Sequence, residues 1–374
     1  MSSKIIGVDA FHVQVPVRLI EDGGIAPYAG SQDAKGVTTA QSLLIRVRTD
    51  DGLSGWGEMN TGFDRAVDVS LVKNWIEPAL IGQDATRIRE TMARVDAPYW
   101  PQFSRPALAC AAEMALWDIT ARGMGRRVAD LLGGPVRDRV EVGFCLGIND
   151  PDTTAAVARR AYDEGWRVFK TKVGLDLDTD LARIQAIVDA TDGRMRLRLD
   201  ANQAYDRISA LTFLRQVAAF PVEYVEQPLP VGDYAGHRSL VERALVPIAI
   251  NEDAYTTGGV ARAVAEGSID AAVVDIEGAA GVSGLLELAA IGSAFHIPLA
   301  HHCGWDLGVK TAMMLQVVAA SPAINLASDS TYAMHLDDVL TTRLETTDGS
   351  MPVPEGPGIG VDVSEEAVER LTWR

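Results

Sequence analysis

Three stretches decide the fold: Met195-Arg-Leu-Arg-Leu-Asp200, Val222-Glu-Tyr-Val-Glu226 and Val246-Pro-Ile-Ala-Ile-Asn-Glu252. Each is a short, largely apolar run that ends on an acid, and the acids recur at steps of 26 residues. A polar or Gly/Pro turn and a stretch of helical pattern follow each one. The rhythm continues in both directions. Upstream, Val168-Phe-Lys-Thr-Lys172 ends 28 residues before Asp200. Downstream, Ala271-Ala-Val-Val-Asp275, Ile297-Pro-Leu-Ala-His-His302 and Ile324-Asn-Leu-Ala-Ser-Asp329 end at steps of 23, 27 and 27. With Val140-Glu-Val-Gly-Phe-Cys145 in front, eight strands alternate with helices. Repeating β/α units of this length predict an α/β fold with a parallel sheet closed into a (β/α)8 barrel. Chemistry in such barrels sits where each strand hands over to its loop, and the polar strand-end residues just named lie there.

At 374 residues the chain exceeds a typical single core and suits one barrel with a smaller domain. Residues 1–135 read as an N-terminal α+β capping domain, 136–330 as the barrel, and 331–374 as a C-terminal segment returning to the capping domain. In the first part, Ile5 to Val15 and Ser42 to Val47 have strand patterns. Thr49-Asp-Asp-Gly52 is a hairpin turn into Leu53-Ser-Gly-Trp-Gly-Glu58, and Ala107 to Gly123 is helical. The Gly-rich stretch Val17 to Thr38 is long enough to be a functional loop. It and Trp56 to Phe63 are the expected specificity segments, with Arg18, Tyr28, Asn60 and Thr61 placed to meet the distal end of a substrate. A stretch within Ile25 to Asp33 is expected to act as a lid.

The formal net charge of −17 argues against nucleic acid or an anionic membrane as partner, because both need basic patches. An anionic substrate must then be attracted by a local cluster of cations. No run approaches the ~20 apolar residues of a membrane span, and Met-Ser-Ser-Lys lacks the apolar core of a signal peptide. A cytoplasmic enzyme acting on a small molecule is the expectation, with a homo-oligomer as its state. Three cysteines, Cys110, Cys145 and Cys303, without CxxC spacing indicate neither a disulfide framework nor a zinc site.

The strand-end residues suggest their own chemistry. A hard divalent cation such as Mg²⁺ takes oxygen ligands and leaves positions open for substrate, as Asp200, Glu226 and Glu252 on neighbouring strand ends would allow. A lone acid of this kind commonly caps the next helix; three in consecutive repeats point to a metal. Lys170 and Lys172, two apart on a strand, share a face and point into the barrel mouth. Two close ammonium groups disfavour each other's charge, which would let one act as a base near neutrality. Across the barrel, Asp275 beside His302 would fix the imidazole's tautomer and raise its basicity. By alternation only one of His301 and His302 faces inward, and His302 is the choice. Asp329 is a candidate hydrogen-bonding partner for an intermediate, or a cap.

The order KxK, Asp, Glu, Glu, Asp, His along eight strands resembles the enolase superfamily, and the Lys with a His–Asp pair is similar to its mandelate racemase group. Thr49-Asp-Asp-Gly-Leu-Ser-Gly-Trp-Gly-Glu58, Ala112-Glu-Met-Ala-Leu-Trp-Asp-Ile119, Leu131-Leu-Gly-Gly134, Phe169-Lys-Thr-Lys-Val-Gly174, Asp200-Ala-Asn-Gln203, Val225-Glu-Gln-Pro228 and Gly356-Pro-Gly-Ile-Gly360 all resemble family signatures. The resemblance implies a carboxylate substrate bidentate on Mg²⁺, loss of its α-proton to a barrel base, and an enediolate held by the metal. Lys172 would serve one face of the carbanion, and His302 with Asp275 the other. Lys170 would tune Lys172 and help neutralise the substrate carboxylate.

Two departures from the family pattern bear on the reaction. Asn251 precedes Glu252 where many relatives carry a small residue, and some acid-sugar dehydratases similar to this chain use an asparagine there; Glu252 is taken as third ligand and Asn251 as the alternative. Asp329 replaces the glutamate of the racemase proper, as in some sugar-acid dehydratases. Asp329 and the polar mouth favour dehydration of a hydroxy acid or sugar acid, with racemisation or epimerisation of an α-substituted acid as the alternative. A catalytically silent barrel with a binding role is the remaining reading.

Overall fold

The computed structural model describes residues 3–30, 35–61, 65–95 and 106–373. Strands β1 (Ile5–Pro16), β2 (Thr39–Thr49) and β3 (Ser54–Asn60) form an antiparallel sheet in that order. The predicted hairpin joins the last two, with Gly52 in the left-handed region at φ 86°. Helix Pro106–Gly123 packs on this sheet, and Leu43, Ile45 and Val47 of β2 share a core with Leu108, Ala112 and Leu116. The approach is so close that a Cβ on Gly57 would stand 1.8 Å from the Ala111 carbonyl oxygen, so β3 can lie there only with glycine.

The barrel strands are β4 (Arg139–Leu146), β5 (Val168–Lys172), β6 (Arg196–Asp200), β7 (Val222–Glu226), β8 (Ile248–Ile250), β9 (Ala271–Val274), β10 (Leu299–His301) and β11 (Ser328–Ser330). All neighbours pair in parallel, with β11 against β4. The seam between β10 and β11 is irregular: the Leu299 carbonyl accepts from both Asn325 N (3.1 Å) and Leu326 N (3.0 Å). That irregularity makes β11 begin at Ser328, later than the run from Ile324 suggests. Inside the ring lie Tyr224, Ala249, Ala271, Val273 and Ala300, while their chain neighbours Val225, Ile248, Ile250, Ala272 and Val274 join the core under the helices.

Side-chain caps fix where the loops end and the helices start. Asp150, Asp176, Asp206, Asp233 and Thr256 each accept a backbone N–H in the first turn of the following helix. Beyond the eighth strand, β12 (Ser350–Pro352) pairs antiparallel with β4, and Trp373 N then donates to His12 O on β1 at 2.9 Å.

The two domains meet where β3 ends. Glu58 caps helix Gly308–Ala320 from the other domain: its carboxylate accepts from Leu307 N (2.6 Å), Lys310 N (2.8 Å) and Ser42 Oγ (2.9 Å). Two residues on, Asn60 Nδ2 donates to Glu277 Oε2 (3.1 Å) and Asp306 Oδ1 (3.0 Å) in two barrel loops. No helix among the described residues is long and apolar enough to cross a membrane.

Candidate active site

Strand register brings the first group of residues together. The α-carbons of Lys172 and Asp200 are partners across β5 and β6, and those of Asp200 and Glu226 across β6 and β7. Lys172 Nζ donates to Asp200 Oδ2 (2.7 Å) and to Asn202 Oδ1 (2.5 Å). Lys170 Nζ, buried below it, donates to Glu226 Oε1 and Asp329 Oδ2, both at 2.8 Å, and lies 3.3 Å from Asp200 Oδ2. Burial opposes the charge on Lys170, but Asp329, Glu226 and Asp200 outweigh it and hold the ammonium well above the usual lysine range. Lys170 is therefore a fixed cation.

Asp329 is clamped from two sides. One oxygen faces Lys170, and the other accepts from Arg198 Nη1 at 3.1 Å; Arg198 is itself buried, bonded to Ala327 O and Glu223. Burial is again overcome by Lys170 and Arg198, which keep the Asp329 carboxyl below its ordinary range. A carboxylate so held accepts hydrogen bonds and is a poor proton donor.

The second group is built on β9 and β10. The inward face that carries Val273 and Ala300 continues to Asp275 and His302. His302 Nδ1 donates to Asp275 Oδ2 at 2.9 Å. Burial lowers the imidazole's proton affinity, but the Asp275 bond and charge more than restore it, so its pKa lies above the usual histidine value. His301 points away from this pair: its Nε2 accepts from Ile276 N at 3.2 Å, and burial pulls its pKa down. Asp275 also lies 3.3 Å from Lys310, a residue that the sequence reading passed over.

Among the described residues no group of three or more His, Cys, Asp and Glu side chains is arranged to hold a metal ion. Lys170 stands between Asp200 and Glu226, and the Glu252 carboxylate is turned to Asn202 Nδ2 (3.3 Å) and Gln203 Nε2 (3.0 Å). The donor set nevertheless fits a hard cation. Glu226 is pushed up to about 7 by burial and by the Asp200 charge beside it, a repulsion that a cation would relieve. Glu252 Oε2 is buried without a hydrogen-bond partner among the described residues. Asn251, on the inward alternation after Ala249, has its Nδ2 tied to Val273 O (2.9 Å), while its amide oxygen accepts from Tyr255 OH at 3.3 Å.

Lys170, Lys172, His302 and Asp329 line one cavity of about 180 Å³ together with Cys145, Cys303, Thr331, Tyr28 and Trp305. Tyr28, from the capping domain, meets Trp305 edge-on at 5.0 Å between ring centres. Of the four distal residues expected, Tyr28 alone lines the cavity among the described residues. Asn60 is engaged with Glu277 and Asp306, Thr61 with His12 (2.7 Å), and Arg18 N with Met334 O. Residues 31–33 of the expected lid, and Gly62 and Phe63, lie outside the described residues.

An eight-stranded barrel with acids and bases at its strand ends, capped by an α+β domain, defines an enzyme of the enolase superfamily. Residues 17–133 match the mandelate racemase/muconate lactonizing enzyme N-terminal domain, and residues 153–367 match the enolase C-terminal domain-like family. The chain belongs to the mandelate racemase/muconate lactonizing enzyme family. It is 31% identical to the N-succinylamino acid racemase of Thermus thermophilus over 91% of this chain and 92% of that one. With the D-galactarolactone cycloisomerase of Agrobacterium fabrum it shares 27% over 87% and 90%. The crystal structure of muconate lactonizing enzyme from Pseudomonas fluorescens, complexed with muconolactone, superposes with a TM-score of 0.90 at 26% identity, covering 100% of both chains.

Proposed function

We propose that this enzyme is a Mg²⁺-dependent isomerase that moves the α-proton of a small carboxylate substrate between two bases. The observation that carries the proposal is that Lys172 and His302, on different strands, line one cavity, each paired with its own carboxylate. Lys172 takes or returns the proton on one face of the α-carbon. His302, oriented by Asp275, serves the other. Lys170 stays charged and faces the substrate carboxylate, while Tyr28 and Trp305 exclude water from one side of the cavity.

Asp200, Glu226 and Asn251 are the residues to hold the metal. A divalent cation held there would supply positive charge to neutralise the substrate carboxylate as the α-carbon loses its proton. We assign the third oxygen to Asn251 over Glu252 because Asn251 continues the inward face of its strand. Glu252, held by Asn202 and Gln203, would stand beside the ion and add its negative charge to the site.

Dehydration is the second reading, and one observation favours it: the raised proton affinity of His302 suits a general acid that protonates a departing β-hydroxyl. Asp329 no longer supports it, being engaged by Lys170 and Arg198. A screen of N-acyl amino acids, sugar acids and their lactones with Mg²⁺, scored for optical inversion and for keto product, tests the two together. Inversion with solvent deuterium incorporation is expected; keto acid alone would favour the second reading, and no exchange with any acid would remove both.

A further inference from the structure

Lys310 is fully buried on the helix Gly308–Ala320, whose other residues are all uncharged. An ammonium at this depth is costly unless it is paired, and it is paired three times over. Its Nζ lies 3.3 Å from Asp275 Oδ1, 2.9 Å from Glu277 Oε2 and 3.0 Å from Asp306 Oδ1. The other oxygen of Asp275 holds His302 Nδ1, so imidazole and ammonium share one carboxylate, an oxygen each.

The far side of this cluster is fastened from the capping domain. Asn60 reaches Glu277 through both its backbone N (3.0 Å) and its Nδ2 (3.1 Å), and the same Nδ2 reaches Asp306. Glu58 accepts the backbone N–H of Lys310 itself. An unbroken path of polar contacts therefore runs from β3, through Lys310 and Asp275, to His302.

We propose that Lys310 is a positioning residue for His302, and that Asn60 ties the orientation and proton affinity of that imidazole to the docking of the capping domain. The proposal rests on the reading of His302 with Asp275 as an acid–base pair. Three carboxylates surround one ammonium, so how Lys310 is shared among them determines how much of the Asp275 charge His302 feels. The charged and titratable groups around His302 are Asp275, Lys170, Glu226, Tyr255 and, on the outer side of the strand, His301. Facing Lys310 are the three carboxylates, the Cys110 thiol and the His301 ring.

The test is NMR of the His302 ring in the full-length protein at saturating Mg²⁺, comparing wild type with Lys310→Met, Glu277→Gln and Asn60→Ala. Lys310→Met is expected to raise the His302 pKa by about one pH unit or more, because Asp275 then turns its whole charge on the imidazole. Glu277→Gln is expected to lower it, by removing one anion and freeing Lys310 for Asp275. Asn60→Ala is expected to speed solvent exchange of the His302 Nδ1 proton on the order of tenfold, as the clamp loosens. Opposite shifts in the first two variants are a signature that a purely structural lysine would not give. Should Lys310→Met fail to fold, the other two variants retain Lys310 and still decide the matter. Wild-type titration in every folded variant would overturn the positioning role, and unchanged exchange in Asn60→Ala would overturn the link to the capping domain. Undiminished α-proton exchange with both enantiomers in His302→Asn would instead defeat the underlying acid–base reading, without touching the NMR result.

Discussion

Lys170 Nζ and Asp329 Oδ2 lie 2.8 Å apart, on β5 and β11, across the first barrel strand that separates them. Arg198 holds the other oxygen of Asp329 from below, so a buried cation–anion–cation stack underlies the mouth. Such stacks are strongly destabilised when a member is removed, because the remaining charge is left uncompensated. Asp329→Asn is expected to lower stability by about 3 kcal/mol in denaturant unfolding and to reduce kcat/KM on the order of tenfold or more through a displaced Lys170. Wild-type values for both would mean that the clamp is dispensable.

The metal assignment is tested by titration calorimetry without substrate. Glu226→Gln and Asp200→Asn are each expected to lose Mg²⁺ affinity on the order of 10²-fold with the circular dichroism spectrum unchanged. Asn251→Ala should lose at least about tenfold more than Glu252→Gln if the third oxygen is the amide. The reverse order would return the ligand role to Glu252.

These assignments also mark what was legible in the sequence. Strand ends are read well where a β-branched or apolar run stops at a charged residue: Lys172, Asp200 and Glu226 end their strands as expected. Alternation alone separates His301 from His302, because a parallel barrel strand has an inner and an outer face. What the sequence hid are partners from distant segments. Glu58, Asn60 and Lys310 belong to two domains and meet only after docking. One signal was available for Lys310: a single lysine within Gly308-Val-Lys-Thr-Ala-Met-Met-Leu-Gln-Val-Val-Ala-Ala320 is out of place unless buried acids await it. Arg198, inside a barrel strand, carried the same signal.

A pH effect on stability is expected from His335, in the segment that follows the eighth barrel strand. It is fully buried, neither ring nitrogen has a hydrogen-bond partner among the described residues, and burial with nearby Arg343 brings its pKa down to about 4 from 6.5. A base with a depressed folded value contributes stability that is complete above the unfolded pKa. That stability is lost as pH falls through the folded one. Stability should therefore drop by about 3 kcal/mol between pH 6.5 and 4 from this residue. His335→Phe should flatten that part of the profile in thermal melts; an unchanged slope would place the acid sensitivity elsewhere.

The central claim is that two bases work on different faces of one α-carbon, and stereospecific deuterium exchange reads it directly. Each enantiomer of an accepted substrate is incubated with Mg²⁺ in deuterium oxide, and loss of the α-proton signal is followed by NMR. Lys172→Ala is expected to lose exchange with one configuration, and His302→Asn with the other, each on the order of 10²-fold or more, with Asp275→Asn following His302. The same stereochemical defect in Lys172→Ala and His302→Asn, or loss on His301→Asn with His302→Asn intact, would contradict the account.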